Sequence, residues 1–211
     1  MIALRRHALA RLTRAPGADD EADRERAARW HAAGRPFVVT RRRATGDGIG
    51  LGFCTTDPAH PELRPRRVAA HADAGLVADL TLPPALEEIE RCPAAAHHAD
   101  SFSRLAAAAV AESISIRVYG SWMWQALTGE KHVHEASDLD VLIDVADVAA
   151  ADRATTFLET IEPGLAFRLD GEVSFAGLGE VNWREYRQDR PEVLLKSVDA
   201  MRLVPRTGLP A

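Results

Sequence analysis

Residues 21–33, EADRERAARWHAA, repeat apolar positions at helical spacing until Gly34 stops them. Acids fill the first turn, where the helix dipole favours negative charge. RPFVVTRRR (35–43) then reads as a strand, and further strands are expected over Ile49–Phe53, Arg67–His71 and Gly75–Leu82, punctuated by proline and glycine. After the small-residue segment RCPAAAHHAD (91–100), which reads as a linker, the pattern changes. DSFSRLAAAAVAES (100–113) is an alanine-rich helix, ISIRVYG (114–120) a strand, and SWMWQALTG (121–129) a short helix closed by Gly129. EKHVHEAS is a polar loop, DLDVLIDV (138–145) a strand, ADVAAADRATTFLETIEP (146–163) a helix ended by proline, and LAFRLDGEVSF (165–175) a strand or tight hairpin. Alternating strands and helices predict an α/β (α+β) layer with a mixed sheet over 96–211, preceded by a small strand-rich domain over 1–95.

The strand DLDVLIDV is unusual because it carries Asp138, Asp140 and Asp144, and aspartate packs poorly on a pleated, half-buried surface. Side chains alternate along a strand, so all three share one row, and Leu139, Val141, Ile143 and Val145 form the apolar one. At about 3.3 Å per residue, Asp144 falls roughly 13 Å beyond Asp140, at the wet end of the strand. Asp138 and Asp140 are then the pair to explain. Carboxylates two apart on one face repel each other unless a cation lies between them. Hard oxygen donors suit Mg²⁺, which brings substrate phosphates with it. A solvated strand face is the alternative.

Two other segments sharpen this picture. In VYGSWMW a β-branched strand runs into Gly120 and Ser121 at the start of a helix, where unpaired N–H groups and the positive dipole end can hold an anion. Gly120 lets a phosphate approach the backbone, and the Ser121 hydroxyl can cap the helix or donate to a phosphate oxygen. An ordinary strand–turn–helix would look the same. In LAFRLDGEVSF, Arg168, Asp170 and, if the strand continues, Glu172 lie opposite the apolar row. A neighbouring strand could bring Asp170 beside Asp138 and Asp140. Three carboxylates on two strands can hold metal for in-line phosphoryl displacement, with Asp170 also placed as general base.

Composition narrows the class. The chain has 211 residues, 46% hydrophobic and 27% charged, with a net charge of −5. Residues 1–95 carry 15 arginines and 13 acids, and the remainder carries 11 basic residues and 18 acids. That distribution argues against general nucleic-acid binding, which needs a basic surface. Cys54 and Cys92 show no metal or disulfide spacing. The stretch MIALRRHALARL lacks the apolar core of a signal peptide and no segment approaches a membrane span, so a cytoplasmic protein without membrane partners is expected.

The motifs VYGSWMW, SDLDVLIDV and RLDGEV resemble the nucleotidyltransferase superfamily, whose fold is shared with polymerase beta. More closely, VYGSWMWQALTG, SDLDVLIDV, LDGEV, VNWREY and VLLKS resemble the malonate decarboxylase holo-acyl-carrier-protein synthase family, the phosphoribosyl-dephospho-CoA transferases. They cover most of residues 114–203; RRHALARL and RPFVVTRRR resemble that family's first domain more loosely. The 17 positions from Ser121 to Asp138 exceed the spacing of many small nucleotidyltransferases and are similar to that of the carrier-protein synthases. The resemblance implies a Mg²⁺-dependent transfer of the phosphoribosyl-dephospho-CoA group from 2′-(5″-triphosphoribosyl)-3′-dephospho-CoA to a serine of the apo acyl-carrier subunit of malonate decarboxylase, releasing pyrophosphate. It implies a polymerase-beta-like catalytic domain and a first domain for substrate or carrier recognition. Gly120 and Ser121 would hold the leaving pyrophosphate, Asp138 and Asp140 the metal, and Asp170 would complete that site and help deprotonate the serine. Transfer of a nucleotide to another acceptor, or a non-catalytic nucleotide- or carrier-binding module, are the rival readings.

Other residues have two readings each. Lys196 in VLLKS could contact the triphosphate as a point charge or be a solvated lysine at a strand end. Arg168 is expected to pair with the acids. Trp124 is expected to pack in the core rather than stack on a base, and Trp122 and Trp183 admit either role. His132 and His134, two apart in a loop, could be metal ligands, but are expected in a flexible surface loop that could touch substrate. Arg41, Arg42, Arg43, Arg64, Arg66 and Arg67 could attract donor phosphates or an acidic carrier surface, or be ordinary loop charges.

Overall fold

A computed structural model of the chain describes residues 4–42, 48–57, 59–60, 63–188 and 190–211. Arg43 and the first three residues of the N-terminal stretch lie outside the described residues. The chain forms two compact units. The first runs to Pro83 and also takes in Glu130–His132 and Ser197–Ala200; the second holds Pro84–Gly129, Val133–Lys196 and Met201–Ala211.

The first unit is strand-rich. It contains β1 (Leu9–Leu12), α1 (Glu21–Ala32), β2 (Phe37–Thr40), β3 (Gly48–Thr55), β4 (Arg66–Asp73) and β5 (Val77–Thr81). Its antiparallel sheet has the order β4-β3-β2-β1-β5. The Asp20 side chain caps α1 by accepting from Asp23 N–H at 2.8 Å, and Gly34 follows its end at φ +67°. Trp30 of α1 is buried against Phe53 of β3, with ring centroids 4.8 Å apart, and Phe37 meets Phe53 edge-on. The strand β1 has no counterpart among the strands expected from the pattern. Its four residues, LARL, sit among arginines, and pairing with β2 and β5 rather than local sequence defines it.

The second unit begins earlier than the break expected near residue 95. Leu86 and Ile89 of α2 (Leu86–Glu90), with Ala95, belong to its apolar core. The expected linker is thus structured: Pro93–His98 form 3-10 turns that lead into α3 (Ala99–Ala111). The chain continues through β6 (Arg117–Tyr119), α4 (Gly120–Thr128), β7 (Leu139–Val145), α5 (Val148–Ile161), β8 (Leu169–Phe175), β9 (Gly179–Asn182), α6 (Trp183–Arg187), β10 (Glu192–Lys196) and β11 (Met201–Pro205). The sheet order is β11-β10-β9-β8-β7-β6, and only β7 and β8 are parallel. A parallel pair needs a long crossover, and α5 supplies it. The mixed α/β architecture with a mixed sheet matches the expectation from the sequence.

One face of this sheet is apolar. Val118, Leu139, Val141, Ile143, Leu169, Val173, Val181, Val193 and Leu195 form a core with Phe102, Leu105, Trp122, Leu158, Trp183 and Tyr186 from the helices. All three tryptophans considered at the sequence level, Trp122, Trp124 and Trp183, are buried. The opposite face carries Asp140, Asp170, Glu172, Asn182 and Lys196. Among the described residues no helix is long and apolar enough to cross a membrane.

Candidate active site

Register brings the expected carboxylates together. Asp140 on β7 pairs directly with Asp170 on β8 in the parallel ladder, and Tyr119 at the end of β6 pairs with Asp140 on its other side. Asp138 lies one residue before β7, on the row of Asp140 by alternation. Two features draw these strands close. Gly171, at φ +142°, lies so near β7 that a Cβ there would meet the Val141 carbonyl oxygen at 2.0 Å. Gly120, at φ +70°, opens α4 directly against Asp140, where a Cβ would come within 1.9 Å of the carboxylate oxygen Oδ2. Both glycines need a backbone conformation that other residues adopt only under strain. The glycine of the Gly-Ser pair is therefore fixed by an acid of the site, a reason the strand–helix pattern does not display.

Ser121 stands inside the first turn of α4. The residue preceding that helix is Tyr119, which makes no side-chain cap hydrogen bond. The first-turn N–H groups of such a helix have no intrahelical acceptor. They start one residue along the chain from the strand end that pairs with Asp140.

Asp170 is oriented by its surroundings. Its Oδ1 accepts from the Gly171 N–H at 2.8 Å and from Asn182 Nδ2 at 3.1 Å. Asn182 also starts α6, its own side-chain oxygen accepting from the N–H groups of Arg184 and Glu185. One side chain thus joins a helix cap to the orientation of an acid. Asn182 and Gly171 were absent from the candidates read in the sequence. An N-cap-type residue between a strand and an acidic–basic helical stretch was the available signal for the first.

Arg168 pairs with the acids, as expected. Its guanidinium donates to Asp138 Oδ2 at 2.9 Å, and the same nitrogen stands 3.7 Å from Asp170 Oδ2. The hydrogen bond and charge of Asp138, followed by the charges of Asp170 and Glu162, push the Arg168 pKa above its ordinary value against a small opposing effect of burial. The side chain is 56% exposed. Residues 165–168 precede β8 rather than extending it. Beside Arg168, Pro163, Leu165, Ala166 and Phe167 line an open cavity of about 620 Å³ together with Glu162 and Arg184. Arg184 anchors its rim: it pairs with Glu162, donates to the Leu169 carbonyl at 2.8 Å, and lies 4.2 Å over the Trp183 ring.

Lys196 is at the end of β10, and its Nζ donates to Glu172 Oε1 at 3.0 Å. Glu172 shares the face of Asp170 but is buried, with only 5% of its side chain exposed. The structure thus gives the lysine a carboxylate partner within the sheet. The two loop histidines differ. His132 is buried, contrary to the expected surface position, and its Nε2 lies 3.9 Å from Glu130. The His134 backbone N–H donates to Ser137 Oγ at 2.9 Å. Of the arginines at 41–43 and 64–67, Arg66 pairs with Asp23 and Arg42 with Asp199.

The donor chemistry suits a hard divalent cation: the side chains that converge here from β7 and β8 are carboxylates, and a guanidinium already bridges two of them. As the side chains stand, no group of three acidic, histidine or cysteine residues among the described residues is closed up into an ion cage. The charge and donor type fit; the space between Asp138 and Asp170 is held by Arg168.

The model of a family described as the phosphoribosyl-dephospho-CoA transferase MdcG C-terminal domain matches residues 82–207, and the model of the corresponding N-terminal domain matches residues 5–84. The two matches meet where the chain passes from one compact unit to the other. A phosphoribosyl-dephospho-CoA transferase of Bradyrhizobium diazoefficiens is 36% identical over 191 residues, covering 89% of this chain and 81% of the relative. The transferase of that name from Xanthomonas axonopodis pv. citri is 36% identical over 187 residues, covering 85% and 83%, and one from Xanthomonas campestris pv. campestris is 37% identical over 186 residues. No solved structure matches the chain.

Proposed function

The chain belongs to the phosphoribosyl-dephospho-CoA transferase family, a family of transferases, and from that premise we propose the full reaction. The donor is 2′-(5″-triphosphoribosyl)-3′-dephospho-CoA, and the acceptor is a serine hydroxyl of the apo acyl-carrier subunit of malonate decarboxylase. The serine oxygen forms a bond to the α-phosphorus of the triphosphate, the bond from that phosphorus to the bridging oxygen breaks, and pyrophosphate leaves. The observation that carries the reading is the pairing of Asp140 with Asp170 across β7 and β8, with Gly120 packed on Asp140. A helix start, two acids on one strand and a third on the next are what a nucleotidyltransferase fold of the polymerase-beta kind requires.

Each residue then has a task. The first-turn N–H groups of α4 and the Ser121 hydroxyl bind the departing pyrophosphate at the positive end of the helix dipole. Gly120 keeps that turn clear of side-chain bulk. Asp138, Asp140 and Asp170 would hold Mg²⁺, which supplies charge neutralisation and a more acidic acceptor hydroxyl when bound. Asp170 also helps to deprotonate the serine, its carboxylate being oriented through Oδ1 by Gly171 and Asn182. The reaction depends on positioning and electrostatics rather than on covalent catalysis.

Intact-mass spectrometry of the carrier tests this. The protein, apo carrier and Mg²⁺ are incubated with the triphosphoribosyl donor or with ATP. The carrier is expected to gain the phosphoribosyl-dephospho-CoA mass, and Asp140→Asn is expected to abolish the gain while leaving the melting temperature near that of the parent. A mass gain of AMP from ATP with none from the CoA-derived donor would identify a different nucleotidyltransferase. No gain from either would identify a binding module.

A further inference from the structure

We propose that Arg168 is a displaceable counter-cation: it occupies the carboxylates of the metal site while the site is empty of metal, and on displacement it binds a phosphate of the donor. This rests on the assignment of Asp138, Asp140 and Asp170 to a divalent ion. One guanidinium nitrogen serves both outer acids, at 2.9 Å from Asp138 and 3.7 Å from Asp170. The two carboxylates carry −2. A dication on the same oxygens cancels that charge, so the guanidinium loses its attraction to them and faces a like charge at close range.

Arg168 is built to leave. More than half of its side chain is exposed, and it lies in the segment before β8, outside the ladder. It also lines the cavity formed with Pro163, Leu165, Ala166 and Phe167. The other arginine of that cavity, Arg184, is committed to Glu162, to a backbone carbonyl and to the Trp183 ring. Once released, Arg168 is the cavity cation able to turn toward a ligand without dismantling an element. A planar guanidinium matches phosphate oxygens bidentately. The neighbouring wall of Pro163, Leu165, Ala166 and Phe167 suits the less polar parts of a CoA-type molecule.

The consequence is a substitution with opposite effects on two ligands. Mn²⁺ binding without donor is followed by the loss of the free-ion electron paramagnetic resonance signal, in the parent protein, Arg168→Gln and Asp140→Asn. Binding of 3′-dephospho-CoA is followed by calorimetry in saturating Mn²⁺. Arg168→Gln is expected to tighten Mn²⁺ at least fivefold and to weaken 3′-dephospho-CoA at least tenfold; Arg168→Lys, which keeps the charge but loses the fork, falls between. Asp140→Asn is expected to lose Mn²⁺ binding. Unchanged or weaker Mn²⁺ binding in Arg168→Gln, with the parent binding and Asp140→Asn not, overturns the role of Arg168 alone. Tighter Mn²⁺ with unchanged 3′-dephospho-CoA affinity overturns it as well. A parent protein that binds no Mn²⁺ removes the metal assignment and this inference together.

Discussion

Asp170 and Glu172 stand two residues apart on one face of β8, yet each is held in a different way. Asp170 is 34% exposed, is aimed by a backbone N–H and by Asn182, and has Arg168 within 3.7 Å on a side chain open to solvent. Glu172 is 5% exposed and has the Lys196 ammonium at 3.0 Å. Alternation puts both acids on the same face; depth in the sheet separates their roles. A buried carboxylate needs a fixed partner, because removal from water is costly without one. A carboxylate at the open end of the strand can exchange its partner, as the proposed metal-dependent reaction requires. On that proposal the Glu172–Lys196 pair serves stability and the Asp138–Arg168–Asp170 group serves chemistry.

The comparison is broken most directly at Lys196. Lys196→Met should destabilise the protein by about 3 kcal/mol, the lower end for removing one partner of a buried pair, since the lysine itself is partly exposed. Denaturant unfolding measures this, and adding Glu172→Gln to the same chain should restore most of the loss. Asp170→Asn, at the other end of the contrast, should change stability by less than about 1 kcal/mol while abolishing transfer. A double variant no more stable than Lys196→Met, or a Lys196→Met that folds like the parent but binds donor poorly, returns the lysine to the substrate. The next largest effect is at Gly120. A left-handed conformation costs a non-glycine residue about 1–2 kcal/mol, and the added methyl group runs into Asp140 Oδ2. Displacing a catalytic group by about 1 Å can cost a hundredfold in rate, so Gly120→Ala should lose roughly two orders of magnitude in steady-state transfer.

Much of this site is legible in the sequence, and the limits are physical. Alternation along DLDVLIDV placed Asp138 and Asp140 on one row and removed Asp144 from the site, and the observed register puts Asp170 opposite Asp140. The four longer helices, α1, α3, α4 and α5, are recovered nearly to their ends because caps and glycines mark them locally, as Asp20 and Gly129 do, whereas the five-residue α2 and α6 are too short to show a period. Elements defined by distant partners are not legible. The strand β1 exists through pairing with β2 and β5, and the segment around Ala95 looks like a linker because small residues say nothing of what packs on them. The partner of Lys196 was equally hidden: an ion pair spanning 24 positions depends on the order of β8, β9 and β10.

Asn182 gives the smallest effect and the finest discrimination, because it caps α6 and orients Asp170 with the same side chain. Asn182→Ala removes both functions; losing the cap alone costs about 1 kcal/mol. Asn182→Asp keeps the cap, since aspartate serves there as well as asparagine. It replaces the donor facing Asp170 Oδ1 with a second carboxylate. Like charges at that distance repel, so Asp170 is turned from the orientation that Asn182 gives it. The expected outcome is about a tenfold fall in steady-state transfer rate, equivalent to 1.4 kcal/mol. If Asn182→Asp keeps the parental rate, the asparagine serves the helix alone, and the orientation of Asp170 must come from Gly171.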